Sequence, residues 1–249
     1  MKLRERIYYL REYFFPVGCA VCGSDLLVYG KAFYGLCDKC YNFFASFIYN
    51  TNRCKICGKA LISEIETCIL CKSYKGEGSN YCEGLTGFRT FFPYTGVFKS
   101  LLASYKFDKS LGLGNFFLEC MMEALGHFES ALDNAAWVPV PPRPGKIKKK
   151  GWDQIAFLSS LLANYSRASS GALPVSCCLK RLVSRSQKEL NREDRKKNLR
   201  GRIQCIKKPP ETAILFDDVI TTGATINACT EALLKGGTKK VYAICLFYD

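Results

Sequence analysis

Eight cysteines form four Cys-x-x-Cys pairs within residues 19–71: Cys19/Cys22, Cys37/Cys40, Cys54/Cys57 and Cys68/Cys71. Two thiolates at that spacing reach one ion across a single turn, and a tetrahedral site needs two such turns. "CAVCG" and "CKICG" match each other, with Gly23 and Gly58 after the second cysteine, whereas "LCDKC" and "TCILC" lack the glycine. The pattern reads as two repeats, each a knuckle followed by a closing pair. Sequential pairing puts Cys19, Cys22, Cys37 and Cys40 on one zinc and Cys54, Cys57, Cys68 and Cys71 on another. A crossed pairing, first with third, fits the spacing too. Four thiolates close the coordination sphere, so these sites are scaffolding or an interaction surface and catalysis lies elsewhere. Thioredoxin-like chemistry fits poorly, because no βαβ pattern surrounds the pairs.

The second chemical signal is "ILFDDVITTGATI" at 214–226, an apolar strand that ends in two acids and a hydroxyl-rich turn. Thr221, Thr222 and Thr225 supply hydroxyl donors, Gly223 lets the backbone approach a ligand, and the start of the following helix favours an anion. Asp217 and Asp218 would repel phosphate in direct contact. They make sense facing a polyol or a metal while the loop takes a phosphate nearby, and a sugar phosphate fits that division. Neither a Walker loop nor a G-x-G-x-x-G fingerprint occurs. The single histidine, His127, excludes a histidine-rich metal site and reads as the end of a helix rather than a base.

The elements that would position these residues alternate. "GLTGFRTFFPYTG" reads as a short antiparallel hairpin, and helices are expected from "GVFKSLLASYKF" and over 114–128. "AAWVPVP" is a buried strand, "DQIAFLSSLLANY" a helix with Asp153 as N-cap, and "LPVSCCLKRL" a further strand. "TAILFDDV", a helix closed by Gly236 and Gly237, and "KKVYAICLFYD" complete the chain. Such alternation argues for an α/β fold, a mostly parallel sheet with flanking helices preceded by a small zinc-ribbon module. The expected divisions are an N-terminal helix over 1–16, the double ribbon over 17–76 and the sheet domain over 84–249.

Charge is concentrated. "RPGKIKKK" at 143–150 carries five basic residues, and 180–208 carries twelve basic against three acidic. Together these equal the chain's net +14, so the remainder sums to neutral and a generally basic surface is excluded. No apolar run approaches the roughly 20 residues of a membrane helix, and "MKLRERIYYLREYFFP" lacks the form of a signal peptide. The expectation is a reducing cytoplasm, with peripheral attachment at the inner face of a membrane as a variant. Cys120, Cys205, Cys229 and Cys245 read as small buried hydrophobes, Cys177 and Cys178 as opposite-facing positions of a strand, and Cys82 as a spare ligand.

The two acids followed by V-x-T-T-G-x-T resemble the phosphoribosyl-diphosphate (PRPP) loop of type I phosphoribosyltransferases. With the cysteine module, "VPVPPRPGKIKKKGWDQ" and "RSQKELNREDRKKNLRG", the chain resembles the ComF family over nearly its whole length. Those proteins join a zinc ribbon to such a domain and are implicated in natural transformation. The resemblance implies that Asp217 and Asp218 hydrogen-bond ribose hydroxyls, and that Thr221, Thr222, Gly223, Ala224 and Thr225 cradle the 5′-phosphate. Val140, Pro141 and Pro142 would form the pyrophosphate loop through a strained peptide, with Arg143 and Lys150 facing the same charge. Gln187, Arg195 and Asn198 match a hood, and Lys106 a further basic position. Where the family has Arg-Gly-Phe-Asn-Gln, this chain has Lys150-Gly151-Trp152-Asp153-Gln154, which loses a bidentate fork and puts an acid in place of an amide. Magnesium would accompany PRPP. Implied partners are PRPP, single-stranded DNA and a competence helicase or other DNA-uptake proteins. The function classes to weigh are a phosphoribosyltransferase with an unassigned acceptor and a binding scaffold for DNA and protein. The aromatics Tyr29, Phe33, Tyr34, Tyr41, Phe43 and Phe44 of the zinc module are its candidates for stacking on bases.

Overall fold

A computed structural model of the chain describes residues 18–26, 34–73, 84–128, 132, 134–145, 151–169, 171–182 and 201–249. The expected N-terminal helix, Tyr29, Phe33, Cys82, Lys150 and the hood residues Gln187, Arg195 and Asn198 lie outside the described residues.

Two long apolar runs make the centre of the sheet. β5 (Thr212–Ile220) and β6 (Lys240–Tyr248) are buried along most of their length. Continuous burial rather than alternation is what a parallel strand covered on both faces requires. β1 (Gly87–Pro93) pairs with β6 and β2 (Ala135–Pro139) with β5, giving a four-stranded parallel sheet in the order β1-β6-β5-β2. β3 (Leu179–Arg181) and β4 (Ile203–Cys205) form a separate antiparallel pair. The helices are α1 (Asp38–Asn50), α2 (Ile69–Ser73), α3 (Gly96–Lys106), α4 (Leu113–Gly126), α5 (Gln154–Ala168) and α6 (Ala224–Lys235). The architecture is therefore α/β, a parallel sheet flanked by helices and preceded by two four-cysteine clusters.

The expected hairpin over 84–96 is instead a single parallel strand. Its glycines suggested a local turn, but its hydrogen bonds go to β6, more than 150 positions away in sequence. Phe92 and Phe247 pack there at 5.4 Å between ring centroids, and both are fully buried. Long-range pairing overrides a local turn signal. On the outward side of β1, the Thr90 amide donates to the Cys57 carbonyl at 2.8 Å. On the outward side of β2, the Trp137 amide donates to the Pro174 carbonyl and the Ser176 amide to the Trp137 carbonyl.

The chain divides into two compact units. The first comprises residues up to 51 and 95–119, and holds the cluster of Cys19, Cys22, Cys37 and Cys40. Phe44, fully buried on α1, meets Phe98 of α3 and Phe116 of α4 edge-on or tilted at about 6 Å. The second unit comprises 52–94 and 120–249, and holds the sheet together with Cys54, Cys57, Cys68 and Cys71. Those four cysteines belong to one hydrophobic core with Phe88, Val138, Leu215, Val241 and Cys245.

Candidate functional site

Both cysteine clusters are built the same way, and the grouping is sequential. In each, the four sulfurs lie within 4.8 Å of one another. Cys22 and Cys37 stand 3.6 Å apart, and Cys57 and Cys68 3.7 Å. Zn–S bonds of about 2.3 Å in a tetrahedron set sulfurs about 3.8 Å apart, so the donor set fits zinc. Each knuckle closes with a glycine amide on the first cysteine's carbonyl, Gly23 to Cys19 and Gly58 to Cys54, both at 2.9 Å. Both glycines have φ 75°, a left-handed conformation that other residues resist. The closing pairs are helix starts rather than knuckles: Cys37 caps α1, and Cys68 leads into α2.

Without a metal, each cluster carries one acidic thiol and several reluctant ones. The Ser24 hydroxyl, 3.2 Å from its sulfur, helps hold Cys22 down to about 6. The Cys71 thiol does the same for Cys57, also to about 6, while its own proton is held more tightly. Burial pushes Cys68 up to about 11 and raises Cys37 and Cys40. Four thiolates can share such a space only around a cation, which is how metal binding becomes folding energy.

The surroundings of the clusters differ. The second knuckle is fastened to strands of its own unit by several side chains. Thr90 Oγ1 donates to the Cys57 carbonyl at 2.9 Å and Arg89 Nη1 to the Cys54 carbonyl at 3.3 Å. Arg53 Nη1 donates to the carbonyls of Gly58 at 2.7 Å and Phe91 at 3.0 Å. Buried Lys59 donates to the Asp249 carbonyl at 3.1 Å, and the Ala60 amide donates to the Tyr248 hydroxyl. His127 follows α4 directly, as the sequence suggested. Its Nδ1 lies 2.6 Å from Arg89 Nη2 and its Nε2 2.9 Å from Glu123, so both ring nitrogens are engaged. In the first unit, Tyr41 donates to Glu119 at 2.7 Å, leaving Phe43 and Tyr49 as its half-exposed or exposed α1 rings.

The second candidate site lies where β2 stops and β5 runs on beyond it to Ile220. Pro139 pairs with Phe216, and the Val140 amide still donates to the Phe216 carbonyl at 3.1 Å. The segment Val140, Pro141, Pro142 and Arg143 therefore leaves the sheet beside Asp217 and Asp218. Val140 and Pro141 are buried, while Pro142 and Arg143 are exposed. No cis peptide bond occurs among the described residues, so the strained peptide expected here does not take that form.

Beyond β5, Thr221 is exposed, Thr222 and Thr225 are half-buried, and Gly223 and Ala224 are buried. Gly223 stands at the N-cap of α6 with φ 74° and offers no side-chain cap. The first helical bond runs from the Asn227 amide to the Gly223 carbonyl at 2.9 Å, so the preceding amides have no intrahelical acceptor. Thr222 Oγ1 reaches the Ala224 amide only at 3.5 Å.

The two acids have separate environments. Asp217 is half-buried, and its carboxylate accepts the Asp218 amide at 2.8 Å. Asp218 is 6 % exposed and accepts a short hydrogen bond from Gln154 Nε2, itself buried. Gln154 is held there by the start of α5, where Asp153 caps the helix by accepting the Ile155 and Ala156 amides at 3.0 and 2.9 Å. The acid in place of the family's amide thus works as a helix cap.

Sequence reasoning missed Arg181 at this site. It was counted only within a basic segment, yet it is 7 % exposed, and burial lowers its pKa while Arg143 and Asp217 both act on it electrostatically. No local pattern marks it, because a basic residue in a basic run carries no sign of burial. Lys106 ends α3 in the first unit.

No protein-family model matches the chain. It is 25% identical over 238 residues to "Competence protein ComFC" of Streptococcus pneumoniae (strain ATCC BAA-255 / R6), spanning 92% of this chain and 98% of that one. Among the described residues no helix is long and apolar enough to cross a membrane. With a match along nearly the full length of both proteins and two four-cysteine clusters ahead of a parallel sheet, the chain is a distant homologue of ComFC.

Proposed function

We propose that the chain is a PRPP-binding, phosphoribosyltransferase-like protein with two structural zinc ions, and that it supports DNA uptake in competence. The observation that carries the binding reading is the junction of β5 with α6. Asp217 and Asp218 lie in the last stretch of a central parallel strand, just before its carboxyl end at Ile220, the end at which open α/β sheets hold ligands. A left-handed glycine and the uncapped amides of α6 follow within a few residues. In this reading Asp217 and Asp218 face the ribose hydroxyls, and the backbone and hydroxyls of Thr221, Thr222, Gly223, Ala224 and Thr225 take the 5′-phosphate. The loop of Val140, Pro141, Pro142 and Arg143, with Lys150, faces the diphosphate, whose charge magnesium offsets. Gln187, Arg195 and Asn198 complete the site. Transfer to an acceptor would need a group to handle its proton, and no acid or base in the sequence stands out for that role.

Competence comes from the relative's name and the family resemblance, with single-stranded DNA and DNA-uptake proteins, a helicase among them, as partners and the cytoplasm as the place of work. A second reading is a non-catalytic scaffold. It is favoured by Ile62, Ile65 and Ile69 of the second ribbon, which are 98 %, 79 % and 67 % exposed. Calorimetry of PRPP with magnesium, on the wild type and Asp217→Asn, tests the binding reading. Asp217 is the better probe, because altering Asp218 also strands the buried Gln154 amide. Binding that is lost in the variant supports the site, whereas a folded, zinc-loaded wild type that binds no PRPP leaves the scaffold.

A further inference from the structure

Arg181 is the last residue of β3, on the strand's buried side with Leu179, while Lys180 between them faces solvent. Its Nε and Nη2 find no hydrogen-bond partner among the described residues. A buried guanidinium carries five donors, and leaving several unpaired is among the costlier arrangements a fold can hold. The groups that act on it explain why it is unsettled. Arg143, from the loop after β2, has the same sign, and Asp217 supplies attraction without a hydrogen bond to Nε or Nη2. Cys229 of α6 also acts on it, but its fully buried thiol stays protonated well above the ordinary range, so it offers no counter-charge.

A second guanidinium, that of Arg143, thus acts on Arg181 together with Asp217, and Arg181 itself is buried with donors to spare. A fixed, desolvated fork of this kind suits a planar or bidentate anion better than a mobile lysine would. Two cations at one spot call for a ligand of more than one negative charge. We propose that Arg181 is an anion-binding residue of the sheet-end site, and that its ligand is a diphosphate group. The assignment rests on the PRPP reading and deepens it: Arg181 seats the diphosphate, and the α6 loop takes the 5′-phosphate. Free pyrophosphate presents the same chemistry, so the two sources are separated by titration.

The test is calorimetry on the full-length, zinc-loaded chain with magnesium and, in turn, inorganic pyrophosphate, PRPP and ribose 5-phosphate. Wild type, Arg181→Met and Arg181→Lys are compared, with a thermal melt of each. Losing charge-assisted hydrogen bonds should weaken pyrophosphate and PRPP by about ten- to a hundredfold in Arg181→Met. Ribose 5-phosphate should stay within about twofold, because its contacts are separate. Arg181→Lys should recover part of the loss, since charge returns without the fork. The melting temperature of Arg181→Met should hold or rise, because an unpaired buried cation has been removed. Pyrophosphate binding unchanged in Arg181→Met overturns the proposal, and so does failure of that variant to fold, which would make the guanidinium structural. If PRPP and ribose 5-phosphate bind the wild type while Arg181→Met changes nothing, only this inference falls. If the wild type binds pyrophosphate through Arg181 but ignores both sugars, the diphosphate seat stands and the PRPP reading falls. A wild type that binds none of the three overturns both.

Discussion

Replacing Cys57 by serine should unfold far more than a ribbon. Cys57 is 1 % exposed and shares the core of the sheet unit with its three partner cysteines. Six hydrogen bonds tie residues 53–60 to β1 and to the end of β6: two from Thr90 to the Cys57 carbonyl, and the contacts Arg89–Cys54, Arg53–Phe91, Lys59–Asp249 and Ala60–Tyr248. At about 0.5–1.5 kcal/mol net for each, their loss amounts to about 3–9 kcal/mol. A whole domain is stable by only about 5–15 kcal/mol, so the variant should be marginal or unfolded at room temperature. The assay is urea unfolding followed by near-ultraviolet circular dichroism, with hydrogen exchange read at β1 and β6. Cys22→Ser, which also removes one ligand but from the other unit's cluster, is the control. It should leave the exchange of β1 and β6 near the wild-type pattern. A Cys57→Ser protein that keeps the wild-type midpoint and protects β1 fully would refute the reasoning, because the second cluster would then be an appendage rather than part of the core.

Gly23 and Gly58 share one backbone conformation in different surroundings. Gly23→Ala should cost about 1–2 kcal/mol of left-handed strain in a thermal melt, whereas Gly58→Ala should cost clearly more, because the new methyl would stand 2.7 Å from the Thr90 carbonyl. Asp153→Asn should change stability little, since an amide oxygen can accept the same two α5 amides, while Asp153→Ala should lose about 1–2 kcal/mol in urea titration. Zinc binding should weaken as pH falls. At neutral pH it must displace at least the protons of Cys68 and Cys71, so competition with a chelator should show apparent affinity dropping by about a hundredfold or more per pH unit. In the metal-free protein, Cys57 is more acidic folded than unfolded. Its stabilising contribution is therefore complete above the ordinary thiol range near 9 and is lost as pH falls through about 6, which urea midpoints across that window would register.

The cysteine ligands were readable because metal-site geometry is local: two thiolates on one turn, repeated, leave few ways to pair. The β5–α6 junction was readable for the same reason, with strand, acids, glycine and helix following one another in sequence. What could not be read depends on distant partners. β1 looked like a hairpin because its true partner, β6, lies near the far end of the chain. The role of Asp153 as a cap was expected, but its neighbour Gln154 meeting Asp218 was not, since that contact joins α5 to β5 across 64 positions. Two repeats of the same cysteine pattern gave no hint that one would join the core of the sheet while the other belongs to a different unit. Arg181 was hidden by its own neighbours in the sequence.

The bond from the Thr90 amide to the Cys57 carbonyl has a consequence for the protein's colloidal behaviour. An outer strand with open amides is a template for pairing with another chain, and β1 carries three phenylalanines in "GFRTFFP". The knuckle of Cys54 and Cys57 occupies that border as the segment 174–176 occupies the border of β2, so at both sides of the sheet a backbone group meant for a neighbour is already taken. Removing zinc frees the border at β1 while the apolar strand remains. Metal-starved cells should therefore accumulate this protein as aggregates rather than as a soluble apo form, and metal supply becomes a condition of its solubility.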